Sequence, residues 1–251
     1  MKNILVVDSG VGAISIAKEI SKLVKTNLFV YVDNIHSPLG EKNKEELQTI
    51  AYKIVKESLT KIKIDLVVIA CNTLTVATIN YLRANFNVPF VGTEPNVKIK
   101  EKKAIAICTT YTANNCNVIK TAQIDKIAMP KLATLIDQNL PHLQVLSGYL
   151  YPFLRFLKEQ NYNAVSLGCT HYTYISNIIK KALPNIKIYQ NKFGVAKRVQ
   201  VILSSSTKCA KKHNNYKRLR KNKNMSKSKF KLILSKKNKK FKKQLKHFIK
   251  I

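Results

Sequence analysis

Two cysteines of this 251-residue chain stand in matching settings. Cys71 closes the run Leu66-Val67-Val68-Ile69-Ala70 and is followed by Asn72 and Thr73. Cys169 closes Val165-Ser166-Leu167-Gly168 and is followed by Thr170 and His171. In both places a short apolar run ends in a small residue, then a thiol, then hydroxyl, amide or imidazole groups. A site with the same group on two sides of a substrate suits inversion of a carbon stereocentre. One base removes the proton from one face, and an acid returns a proton to the other. Thiols fit this work, because a free cysteine has a pKa of about 8.5 and both of its protonation states can be reached near neutral pH.

The elements that present these thiols are set by periodicity. Apolar runs over 4–7, 28–32, 66–70, 89–91, 104–108, 164–167 and 186–189 predict strands. Helical spacing of apolar residues covers 14–24, 42–63, 75–86, 111–122, 146–159, 175–182 and 195–203. Alternating strands and helices predict an α/β fold with parallel sheets, and functional residues then belong at strand C-termini. Asp8, Cys71, Thr109 and Cys169 all fall at such ends.

Composition narrows the setting. No apolar run approaches the roughly 18 residues of a membrane span. Asp8 interrupts the apolar start, which argues against a signal peptide. The expectation is a cytoplasmic protein whose five cysteines are thiols. No Cys-x-x-Cys pair is present, and Cys71, Cys169 and His171 fit no standard zinc spacing. The net charge of +32 is uneven: of 45 Lys and Arg, nineteen fall in residues 207–251, where there is no acid. All 13 acids lie in the body before that basic, Lys/Asn/Ser-rich tail. Only Phe241, Leu245, Phe248 and Ile249 give the tail a pattern, one apolar helical face among lysines. A solvated extension is the default reading of the tail. Attraction to nucleic acid or to an anionic membrane is the alternative.

Several blocks, in order, resemble the glutamate racemases of the aspartate/glutamate racemase superfamily. They are Asp8-Ser9-Gly10-Val11-Gly12, Pro38-Leu39-Gly40, Ala70-Cys71-Asn72-Thr73, Thr109-x-x-Thr112 and Gly168-Cys169-Thr170-His171-Tyr172. The resemblance covers roughly residues 3 to 205. It implies two similar domains with mainly parallel sheets flanked by helices, the active site at their interface and one cysteine from each. The expected division is 1–94 with 186–206 as one domain, 95–185 as the other, and 207–251 as the basic tail, partly helical. It also implies racemisation of glutamate without cofactor or metal, in a bacterium, to supply D-glutamate for peptidoglycan. Cys71 would take the α-proton from one enantiomer and Cys169 from the other. Asp8 and His171 hold the positions of groups that assist the two thiols, and Asp137 falls where a second carboxylate is often found. Ser9, Pro38, Leu39, Gly40, Asn72, Thr73, Thr109, Thr112 and Thr170 would hold the substrate. Family members often form dimers, so a homodimer is compatible with the resemblance.

The chain also departs from the pattern. Leu39 stands where the family usually has tyrosine, Ala13 where it has a second glycine, Asn115 for a serine and Thr173 for a proline. The segment between Asp137 and Ala164 is short, and residues 207–251 do not resemble the family. These departures keep other readings open: a racemase of another acidic amino acid such as aspartate, or a degenerate racemase fold that binds nucleic acid or protein through its basic surface. Taken singly, Cys71 and Cys169 would be read as small buried packing residues and His171 as a structural or surface histidine; the paired motifs favour chemistry. Cys108 and Cys116 carry no motif and are read as core or helix-surface packing, and Cys209 as incidental.

Overall fold

A computed structural model describes residues 1–122, 124–205, 228–236 and 238–249. Its first half alternates β1 (Lys2–Asp8), α1 (Gly12–Leu23), β2 (Thr26–Val32), α2 (Lys44–Lys61), β3 (Leu66–Ile69), α3 (Asn72–Asn85) and β4 (Phe90–Gly92). The second half continues with β5 (Ala104–Cys108), α4 (Thr110–Asn115), α5 (Asn117–Ala122), β6 (Asp125–Ala128), α6 (Leu132–Gln138), α7 (Ser147–Glu159), β7 (Ala164–Gly168), α8 (Ser176–Ala182) and β8 (Lys187–Tyr189). A 3-10 helix, His171–Ile175, comes after β7. The chain closes with α9 (Lys192–Ser205), β9 (Lys229–Leu234) and α10 (Lys239–Ile249).

The strands form two all-parallel sheets, in the orders β4-β3-β1-β2-β9 and β6-β5-β7-β8. Parallel strands buried on both faces read as continuous apolar runs, and β1, β3, β5 and β7 do so. Register places the chemistry. Val7 pairs with Ile69, so Asp8 and Cys71 leave neighbouring strands on the same edge of the first sheet. Cys108 pairs with Gly168, which does the same for Thr109 and Cys169 in the second. The helices cover the faces. The start of α2 is fixed by a capping box, in which the Asn43 side chain accepts from Glu46 N and the Glu46 side chain accepts from Asn43 N.

The two-domain α/β architecture is as expected, but its seams differ. Residues 187–189 do not return to the first domain. They pair with β7 as the edge strand β8, held by Ile188 opposite Val165 and by the buried Ile186 beside it. The return begins with α9, which packs on α1. The helix expected over 111–122 is broken at Cys116 into α4 and α5. Strand β6 carries Asp125 and Lys126 on an exposed edge, so its composition hid it. The basic tail is partly built in. Strand β9 pairs with β2 from Asn27 to Val32, and α10 packs against α1. Its apolar face turns inward: Leu245 is fully buried, and Phe241, Phe248 and Ile249 pack on the core of the first domain and its junction with the second. Burying a leucine contributes roughly 1.5–3 kcal/mol, which favours docking over a free amphipathic helix. Positions 207–227, 237, 250 and 251, Cys209 among them, lie outside the described residues.

Candidate active site

Strand ends deliver the two thiols from opposite domains. Cys71 succeeds β3 and caps the N-terminus of α3, where its carbonyl accepts from Thr75 N. Cys169 succeeds β7 and sits above the 3-10 helix that carries His171. Both are about 95% buried. Burial pushes the Cys71 thiol well above its ordinary value, and the nearby Asp8 carboxylate adds to this; the backbone N–H groups of Leu74 and Thr73 oppose it and lose. In the resting site Cys71 is therefore a protonated thiol.

Asp8 is fully buried at the end of β1. Burial raises its pKa to about 6, against the opposing charge of His171 and hydrogen bonds from Thr170 and Ser9 N–H. Thr170 Oγ1 donates to Asp8 Oδ2 at 2.8 Å, and Ser9 N donates to Asp8 Oδ1 at 2.7 Å. The carboxyl thus titrates close to neutrality, as a proton carrier beside Cys71 should.

The second domain supplies a different pair. His171 Nδ1 lies 3.7 Å from Cys169 Sγ, and its Nε2 lies 3.2 Å from Asp137 Oδ2. Burial disfavours the imidazolium, but the charge and hydrogen bond of Asp137, with those of Cys169, outweigh it and raise the His171 pKa well above the ordinary value. Val11 ties this pair to the first domain. Its N–H donates to Asp137 Oδ1 at 3.1 Å, and its carbonyl accepts from the Tyr174 hydroxyl at 3.1 Å.

The loop after β1 can pass this close only because of two glycines. A Cβ on Gly10 would run into Asp137 Oδ2 and His171 Nε2, and one on Gly12 into Thr170 Oγ1 and Asp8 Oδ2. Hydroxyls close the other side. Thr73 Oγ1 lies 2.9 Å from Thr109 Oγ1, and Thr109 Oγ1 donates to Thr112 Oγ1 at 3.0 Å. Tyr111 N donates to the Gly40 carbonyl at 3.0 Å, joining the Pro38-Leu39-Gly40 loop to α4 across the domain boundary.

Between them lies a cavity of about 40 Å³. Cys71, Cys169 and His171 line it, with Ser9, Thr73 and Thr109. Pro38, Leu39 and Gly40 form one wall. Asp8, Thr112, Thr170 and Asp137 stand behind this lining, Asn72 follows Cys71 at the start of α3, and all but Asp137 are buried. The structure therefore brings every singled-out residue to one place, in two layers. Met129, Pro130, Lys131 and Thr134 also line the cavity and were not singled out. The only signal for them is position, since Met129, Pro130 and Lys131 connect β6 to α6 at the strand-end edge of the second sheet and Thr134 lies in the first turn of α6. Val11 and Tyr174 carried no signal either, because Val11 acts through its backbone.

No protein-family model matches the chain. Relatives do. A glutamate racemase of Clostridium botulinum is 33% identical over 213 residues, which is 79% of this chain and 82% of that protein. One from Leptospira interrogans is 33% identical over 205 residues, 76% and 79% of the two. Among solved structures, Escherichia coli glutamate racemase in complex with L-glutamate and an activator aligns with a TM-score of 0.73 at 25% identity, over 81% of this chain and 82% of that one. A glutamate racemase isoform from Bacillus anthracis aligns over 100% of this chain and 94% of its own, with a TM-score of 0.80 at 24% identity, a likeness of fold. Identity at this level over three quarters of the sequence, joined to two cysteines facing one interdomain cavity, has one reading: the chain belongs to the glutamate racemase family.

Proposed function

We propose that the chain interconverts L- and D-glutamate by proton transfer between Cys71 and Cys169, with Asp8 serving the first thiol and the His171–Asp137 pair the second. The observation that carries this reading is that the two thiols line one cavity from opposite domains, each backed by its own carboxylate. In one direction Asp8 accepts the Cys71 proton, and the resulting thiolate takes the α-proton. The electron pair is delocalised into the α-carboxylate, and the Cys169 thiol gives its proton to the opposite face of the carbon. His171 then reprotonates Cys169. The other enantiomer runs the sequence in reverse. The α-amino and carboxylate groups are held by Ser9, Asn72, Thr73, Thr109, Thr112 and Thr170, with hydroxyls and strand-end amides as donors. Leu39, in place of a tyrosine, gives the wall an apolar contact.

A cytoplasmic setting and D-glutamate supply to the cell wall accompany this reading; among the described residues no helix is long and apolar enough to cross a membrane. Pairing into a homodimer is the expected assembly. Any contact of the tail with nucleic acid or anionic lipid would run through its lysines, since the apolar face of α10 is engaged.

The test is α-proton exchange in D2O with L- and D-glutamate and both aspartates, for wild type, Cys71→Ser and Cys169→Ser. Exchange and inversion of glutamate, with inversion lost in either variant, is expected. Preference for aspartate would reassign the substrate, and absence of exchange with all four acids would refute the enzyme reading.

A further inference from the structure

We infer that the C-terminal helix α10 is a positioning element for the His171–Asp137 pair, through Gln244 and Phe248. This rests on the two-thiol reading above and extends it to a segment whose sequence places it outside the site.

The geometry is specific. Gln244 and Phe248 lie four residues apart, one turn along the same face of α10. Gln244 Nε2 donates to the carbonyl of Leu140 at 2.7 Å. Leu140 lies three residues beyond Asp137, just past the end of α6. The Phe248 ring meets the Tyr174 ring edge-on, with centroids 5.2 Å apart and planes at 84°. Tyr174 lies three residues beyond His171, on the same 3-10 helix. One face of one helix therefore grips the segment carrying the carboxylate and the segment carrying the imidazole at equivalent points.

The contacts close into a ring. Asp137 accepts from Val11 N–H, the Val11 carbonyl accepts from Tyr174, Tyr174 meets Phe248, and Gln244 returns to the backbone behind Asp137. The helix is itself anchored, with Leu245 fully buried between the two contacts and β9 paired along β2. The separation it governs is 3.2 Å between His171 Nε2 and Asp137 Oδ2, already at the long end of a useful hydrogen bond. A small outward drift of either segment would uncouple the pair and leave the cavity lining in place.

The consequence is selective. The pair acts on Cys169, so loosening it slows proton transfer at that thiol only. The equilibrium constant of a racemisation is fixed by symmetry, so kcat/KM must change equally for both enantiomers, and the selectivity appears in isotope effects. Slower transfer at Cys169 makes that step more rate-limiting. With α-deuterated substrates, the isotope effect on kcat/KM must rise for the enantiomer that Cys169 deprotonates. It must fall for the one that Cys71 deprotonates.

The test uses the full chain with Gln244→Leu, Phe248→Ala and Gln244→Lys, which keeps a donor. The expected result is a fall in kcat of about tenfold for the first two with KM within about twofold, a loss in line with sub-ångström misplacement of a catalytic group. The two isotope effects should move in opposite directions, and Gln244→Lys should recover most of the rate. If Phe248→Ala fails to fold, the two Gln244 variants still decide the matter. Unchanged kcat in folded variants, or isotope effects that move together, would overturn the proposal. An inactive wild type would overturn the racemase reading itself, whereas an active wild type with unmoved variants overturns only this inference.

Discussion

The Thr170 hydroxyl donates to the Asp8 carboxylate at 2.8 Å, so the residue next to one cysteine holds the carboxylate whose charge acts on the other. The two halves of the site are thereby wired across the domain boundary, and four consequences can be measured.

Asp8 titrates near 6 in the folded chain, above its ordinary 3.8. The fold favours the neutral carboxyl, so its contribution to stability is full below about 3.8 and is lost as the pH rises through about 6. The difference is on the order of 2–3 kcal/mol. Asp8→Asn should therefore melt higher than wild type at pH 7.5 and lose the downward slope of stability between pH 4 and 6. Racemisation should fall by about 100-fold or more. A wild-type melting temperature that is flat across that window would contradict the assignment.

His171 moves in the same direction through a different window. Its folded pKa is raised, so the stability from the Asp137 partnership is complete below the ordinary histidine value of about 6.5 and is lost as the pH climbs through the raised one. Asp137→Asn should abolish that alkaline decline and lower kcat. Thermal denaturation of the two proteins between pH 6 and 9 measures it, and superimposable profiles would remove Asp137 as the cause.

Gly10→Ala puts a methyl group against Asp137 Oδ2 and His171 Nε2, and should lower kcat by about 100-fold while the chain still folds. Gly148→Ala is the matched control. It lies in α7 with nothing within 4 Å of its added Cβ and should stabilise by about 0.5–1 kcal/mol. Equal activity in the two variants would show that the loop yields freely.

Leu245→Ala reports on the C-terminal segment. A fully buried leucine costs about 2–5 kcal/mol on truncation, whereas a solvated tail would give nothing measurable. Denaturant unfolding of the full chain distinguishes these.

Asp8, Cys71, Thr109 and Cys169 were legible because strand ends announce themselves, whereas the Pro38-Leu39-Gly40 wall was reached only through the resemblance. Apolar runs such as Leu66–Ala70 and Ala164–Leu167 stop abruptly, and the residues immediately beyond them are presented at the sheet edge. The alternation of strands and helices was legible in the same way, whereas the two-domain frame came from the resemblance of the motif blocks. What could not be read were elements whose composition contradicts their place. Strand β9 alternates lysines with Phe230 and Leu232, as an edge strand protected against pairing would, and it looks like tail. Strand β6 hides behind Asp125 and Lys126, and β8 is too short to declare which sheet it joins. Val11 and Leu140 act through backbone atoms, for which side-chain identity is silent, and Tyr174 shows its role only once His171 and Val11 are placed.

The cavity of about 40 Å³ has a kinetic meaning. Ligand pockets ordinarily begin near roughly 300 Å³, so the site is tightly drawn together in this structure. Those walls are joined across the boundary by the Tyr111–Gly40 peptide contact and the Thr73–Thr109 hydroxyls. Any parting of these walls to admit a ligand would have to break and remake these links. Where that parting limits the rate, solvent viscosity becomes a handle on turnover alongside the acidity of the thiols.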